Sequence, residues 1–271
     1  MTPSPWSFTF EPLFLALAVL AGAVYWRSAR REPGGVPRLR ALAFGTGLFL
    51  IAASTNSPLE TLSAHYLLLA HLLQNVIISD WAPPLLVLGL TPRMREQIAA
   101  RGGAVLRALT RLRVALPVWL LGWYLIHLAA FYDAALENTY LLHLEHAILI
   151  LIGLVFWWPV FSQAPRAHGV LKRLAYVAAG FFTSVFLGLA LTFSGSAFYD
   201  FYEDAPRLWG LSPEEDQNYA GVLMTAEQAL IFLAAITWLL LQLFREEDAK
   251  ERADRERLRA AGLVPREDAE H

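Results

Sequence analysis

Residues 139–161, TYLLHLEHAILILIGLVFWWPVF, form an apolar run interrupted only by Glu145 and by the histidines His143 and His146. A bilayer core of about 30 Å needs roughly 20 apolar residues in one helix, and this run is long enough to span it. Further apolar runs, bounded by charged or turn-forming residues, predict helices at 12–26, 41–54, 60–90, 114–131, 170–193 and 219–244. Hydrophobic residues make up 56% of the 271, above the roughly 45–50% of a soluble domain. The reading is an all-α polytopic membrane bundle of about seven transmembrane helices. It occupies residues 1–244 as one domain and leaves no room for a separate soluble one. Residues 245–271 read as a charged, solvated cytoplasmic tail.

The formal net charge of −2 conceals a strong segregation. Of 22 Lys and Arg residues, 21 lie in 27–40, 91–113, 163–173 and 245–271, which are alternate connections between the runs, and only Arg207 lies elsewhere. Cationic segments near helix ends stay in the cytoplasm, so the N-terminus is expected outside and the C-terminus inside, in a plasma (inner) membrane protein. The opening MTPSPWSFTFEP lacks the basic region and cleavage site of a secretory signal, and the first helix is expected to be retained. The connection 194–218 is then extracytoplasmic. Its aromatic and acidic residues suit an interfacial helix or a lid over the outer end of the bundle.

Run 60–90 would reach about 45 Å as one helix at 1.5 Å per residue, too far for a straight immersed span. Trp81-Ala82-Pro83-Pro84 supplies an interruption, because proline removes a backbone donor and clashes with the preceding turn. A kink or a second short helix is expected there, with Asp80 in a structural role beside it. Gly45, Gly47 and the isolated glycines are read as close helix contacts.

Zero cysteines exclude disulfides, iron–sulfur clusters, zinc ribbons and a thiolate copper relay. Any metal must use His, Met or oxygen ligands, and with only Met1, Met94 and Met224 there is no methionine ladder. Nucleotide-binding, metalloprotease and serine-hydrolase patterns are missing. His65, His71, His127, His143 and His146 fall in the outer halves of the expected spans. Charged groups in hydrocarbon cost about 2.5–3.5 kcal/mol each on insertion scales, so ionisable residues there tend to face the bundle interior and mark function. His143 and His146 share one helix face, and His71 shares another with Asn75. Glu145, Glu227, Gln74 and Met224 join the inventory, a set that suits copper, zinc or iron by ligand type. Interhelical hydrogen bonding is the competing reading. His127 is the weakest member, at home at the interface without a ligand.

Three stretches resemble the CtaG-like family of cytochrome c oxidase assembly proteins associated with caa-type oxidases. They are HYLLLAHLLQNVIISDWAPPLLVLGLTP (65–92), HLEHAILILIGLVFWWPV (143–160) and WGLSPEEDQNYAG (209–221). The resemblance implies a multipass, non-enzymatic factor that matures the oxidase, with copper as cargo and oxidase subunits and the bilayer as partners. It carries no implication of nucleic-acid binding. It leads to His71, His143, His146 and His65 as metal ligands, with Glu145, Glu227 and Met224 as secondary candidates. One departure is Asn75, where relatives carry a second histidine. A single-span copper chaperone shares the CtaG label but depends on cysteines, which this chain lacks. The rival functions are a copper or other cation transporter, a haem-binding redox protein and a purely structural scaffold.

Overall fold

The computed structural model describes residues 2–261. The helices are α1 Pro12–Ala29, α2 Arg38–Thr55, α3 Pro58–His65, α4 Leu68–Val76, α5 Ala82–Gly89, α6 Pro92–Leu109, α7 Leu112–Ile126, α8 Ala129–Glu137, α9 Thr139–Phe161, α10 Val170–Phe193, α11 Asp200–Asp204 and α12 Pro213–Ala260. A π-helical turn, Ile77–Trp81, joins α4 to α5, and the described residues contain no strand. Five segments are long and apolar enough to cross a membrane, and seven when each of two bent pairs counts as one span. Those pairs are α2 with α3, bent by 50°, and α7 with α8, bent by 65°. Every predicted apolar run is helical, but 60–90 is divided among α3, α4, the π turn and α5, and 114–131 reaches from α7 into α8. Among the described residues, the basic side chains other than Arg207 collect at one end of the bundle or on the far part of α12.

The predicted run 60–90 divides differently from the expectation. The chain breaks at Tyr66 and Leu67, where Leu67 is extended, and α3 instead continues α2 across a 50° bend. At Trp81–Pro84 the helix restarts as α5 without a sharp bend. Its prolines sit in the first turn of α5, where a missing N–H costs least, and the π turn absorbs the change in register. The last helix begins at Pro213, before the predicted 219. Ser212 supplies the reason: its hydroxyl accepts the Glu215 N–H at 3.1 Å while the Glu215 carboxylate accepts the Ser212 N–H at 2.8 Å, a reciprocal cap. The same helix continues through the predicted tail to Ala260; residues 262–271 lie outside the described residues.

At the arginine end, cations cover helix C-termini, where unpaired carbonyls and the negative end of the dipole await donors. Arg40 donates to the carbonyls of Leu88 and Leu90 at 2.8 and 2.7 Å. Arg95 reaches Val87 at 2.8 Å and Phe161 at 2.6 Å, and Arg173 reaches Val160 at 2.9 Å. These bonds tie α5 to α2 and α6, α6 to α9, and α9 to α10.

The helices approach closely through glycine. Gly153 of α9 lies against the Ser79 carbonyl, and an added Cβ there would also stand 2.8 Å from Pro83 Cγ. Gly221 of α12 would place a Cβ 2.6 Å from the Gly188 carbonyl of α10. Gly47 is similarly close to Leu86, whereas a Cβ on Gly45 would meet nothing within 4 Å, so Gly45 is not the contact expected of it. Gly153→Ala is therefore expected to destabilise the protein by about 1–3 kcal/mol through overpacking. Gly45→Ala should leave the thermal unfolding midpoint in detergent unchanged or slightly raised, and equal midpoints for the two variants would contradict this packing.

Candidate functional site

The break before α4 leaves that helix with bare N–H groups. Asp216, from the first turn of α12, supplies both oxygens: one accepts from Leu68 N at 2.7 Å and the other from Leu69 N at 3.0 Å. A carboxylate at a helix N-terminus meets its unpaired donors and the positive end of its dipole. With α4 held this way, His71, Gln74 and Asn75 are fully buried in the bundle.

A chain of hydrogen bonds runs from these side chains. Glu60 accepts from the Gln74 amide, and Gln74 Oε1 accepts from Ser63 Oγ at 2.7 Å. Tyr202, in α11 of the 194–218 connection, donates its hydroxyl to the Ser63 carbonyl at 2.6 Å. Its single hydrogen is thereby used, so the 2.9 Å contact with His71 Nδ1 is donated by the imidazole. His71 Nε2 then faces Glu145 Oε1 at 3.2 Å, and Asn75 Nδ2 donates to the same oxygen at 2.9 Å. With Nδ1 carrying a hydrogen, a contact between Nε2 and a carboxyl oxygen requires one further proton, held between His71 and Glu145. Asn75, standing where the resemblance leads to a second histidine, orients this carboxylate.

Around His71 lie buried polar atoms with no hydrogen-bond partner among the described residues: Asn75 Oδ1, Glu145 Oε2, His146 Nε2, His127 Nε2 and the Tyr132 hydroxyl. The His71 ring is 4.7 Å from that of Tyr132 and 6.3 Å from that of His146. His127 lies 5.9 Å from Tyr132 on the other side. Its Nδ1 donates to the Trp123 carbonyl at 2.7 Å, which leaves Nε2 as a bare lone pair, the orientation of a ligating imidazole. Unsatisfied buried groups call for an occupant, water or otherwise.

The other candidates lie elsewhere. His143 contacts a Glu11 carboxylate oxygen before α1 at 2.5 Å and is about one-fifth exposed. His65 lines an open cleft with Asp133, Glu137, Asp200 and Asp204. Met224 is buried beside Gly188, and Glu227 lies near Asp80 instead of the histidines. The free donors suit copper by type. Yet among the described residues no three His, Cys, Asp or Glu side chains stand close enough to hold a metal ion. His71 could serve as a ligand only by giving up Glu145.

A family model described as cytochrome c oxidase caa3 assembly factor matches residues 20–246. The chain belongs to this family. No curated protein and no solved structure matches it. In this caa3 assembly factor the matched region runs from within α1 into the far part of α12, so it contains His71, His127, Glu145, His146 and Tyr202. Sequence reasoning missed Tyr202, Tyr132 and Asp216 and placed His127 at the interface. The available signal was the aromatic-rich FYDFYED at 198–204, whose four rings are too many for a solvent loop alone.

Tyr202→Phe leaves the Ser63 carbonyl and His71 Nδ1 of the assembly factor without their partner. It is expected to cost about 1–3 kcal/mol, read as a lower unfolding midpoint in detergent. An unchanged midpoint would show that the connection does not anchor His71.

Proposed function

We propose that this assembly factor handles copper on its way to the metal centres of a cytochrome c oxidase, receiving the ion from the extracytoplasmic side. It catalyses no reaction of its own. The observation that carries the reading is the group of bare buried donors around His71, at the end of the bundle opposite the arginines. With the arginine end taken as cytoplasmic, these buried donors lie toward the outer face of the plasma membrane.

The cargo is a cuprous ion: His71 Nε2 would take it by giving up Glu145, whose carboxylate stays beside it as counter-charge, with His146 and His127 as the further imidazoles. The one proton between His71 and Glu145 gives the exchange its chemistry. A monovalent cuprous ion that takes its place on Nε2 leaves the charge of the site unchanged. In a low-dielectric interior, where an uncompensated charge costs several kcal/mol, that equality keeps both loading and release within reach. The Tyr202 hydroxyl holds the opposite ring nitrogen through the exchange, as partners of ligating histidines do. His143, paired with Glu11, and His65, in the acidic outer cleft, stand on the path of approach.

The test is oxidase activity in membranes of a strain lacking the chain and complemented with variants, grown with and without added copper. The joint variant His127→Ala/His146→Ala should reach the membrane at normal levels yet fall at least about tenfold in supported activity, with partial recovery on added copper. His143→Ala should retain most activity. Full activity of the joint variant would leave the cluster a structural role only, and loss of the protein from the membrane would mark the two side chains as packing elements.

A further inference from the structure

Nine residues beyond His71, roughly 12–14 Å deeper along the helix at about 1.5 Å per residue, a second polar group is buried with no use in the chemistry above. Asp80 sits in the π turn and Glu227 on α12. Both oxygens of each carboxyl are buried without a hydrogen-bond partner among the described residues, as are Ser79 Oγ and both amide atoms of Gln228. Asp80, Ser79 and Gln228 are wholly inaccessible and Glu227 is 8% exposed. Ser79 and Gln228 are the polar neighbours of Asp80, while Trp81 neighbours Glu227 and the two carboxyls act on one another electrostatically. Neither carboxyl has an ion-pair partner among the described residues.

The local backbone adds to this polarity. The residues four and five beyond Ser79 are Pro83 and Pro84, which have no N–H to offer its carbonyl. That carbonyl is turned against Gly153. A π turn inside an α-helix is a recurrent feature of functional sites, and this one sets Asp80 opposite α12.

We propose that Asp80, Glu227, Ser79 and Gln228 form a binding site for a hard, oxygen-seeking divalent cation. The donors are all oxygens: two carboxylates, a hydroxyl and an amide carbonyl, the set preferred by calcium, magnesium and manganese and not by cuprous ion. Two carboxylates bury two negative charges, and one divalent cation offsets both. Two acids that had merely taken up protons would close into hydrogen bonds with each other or with Gln228. Here none of these atoms closes a well-formed hydrogen bond, although Ser79 and Gln228 lie beside Asp80 and Trp81 beside Glu227. Gln228 adds to this beside Asp80, since a fully buried amide with no well-formed hydrogen bond at its oxygen or its nitrogen is costly without a partner. A bound cation would clamp the π turn to α12 and so hold the helix that carries His71.

The test uses the full-length protein, washed with chelator in detergent micelles and titrated with manganese(II), followed by electron paramagnetic resonance. A single tight manganese(II) per chain is expected, displaced by calcium or magnesium, with a higher unfolding midpoint when it is bound. Asp80→Asn and Glu227→Gln, close in shape to the native residues, should each weaken binding by at least about tenfold. The joint variant His127→Ala/His146→Ala should bind manganese(II) as the wild type does, which separates this site from the copper reading. Absence of binding to the wild type would overturn the proposal, as would equal binding by both carboxamide variants. Infrared bands of two carboxylic acids that persist in excess manganese(II) would overturn it in favour of protons.

Discussion

Asp216 holds the start of α4, and the polar interior depends on that contact. In hydrocarbon every backbone N–H must find a partner inside the protein, so a helix that begins afresh after Tyr66 and Leu67 needs an acceptor from elsewhere. The carboxylate of α12 meets two of its N–H groups at 2.7 and 3.0 Å, bonds to an ionised acceptor being about twice as strong as neutral ones. α4 is thereby locked to α12, and the same helix continues through the π turn to Asp80. The histidine group and the oxygen group thus lie at two depths along the α4–α5 segment.

The break is itself a consequence of length. A single helix over the predicted run 60–90 would exceed the bilayer core, so the chain divides into α3, bent against α2, and an α4–α5 segment of membrane-spanning length. The proline pair is then free to sit in the first turn of α5, where its missing donors leave the Ser79 carbonyl against Gly153. Close helix approach and a disturbed backbone are the same feature seen from two sides.

Much of the fold is legible in the sequence because hydrocarbon permits few solutions: apolar length sets the helices, and the position of basic residues sorts their ends. The burial of His71, Glu145 and His146 follows from the same rule, since ionisable groups in a span turn inward. What the sequence hides is contact between distant segments. Helical periodicity puts His143 and His146 on one face, but only the fold shows His143 meeting Glu11 while His146 lies beside His71. His127 looks interfacial because it closes an apolar run. The 65° bend after α7 carries the chain back over it, and Tyr199 and Tyr202 cover the site from a connection more than 50 residues away.

The proposed copper handling rests on buried imidazoles and on no thiolate. X-ray absorption at the copper edge, on purified protein loaded with one equivalent of cuprous ion, addresses it most directly. Imidazole ligation requires a spectrum of nitrogen and oxygen scatterers with imidazole features, and loss of the bound copper in the joint variant His127→Ala/His146→Ala. Copper that washes out of the wild-type protein, or an identical spectrum in that variant, would contradict it.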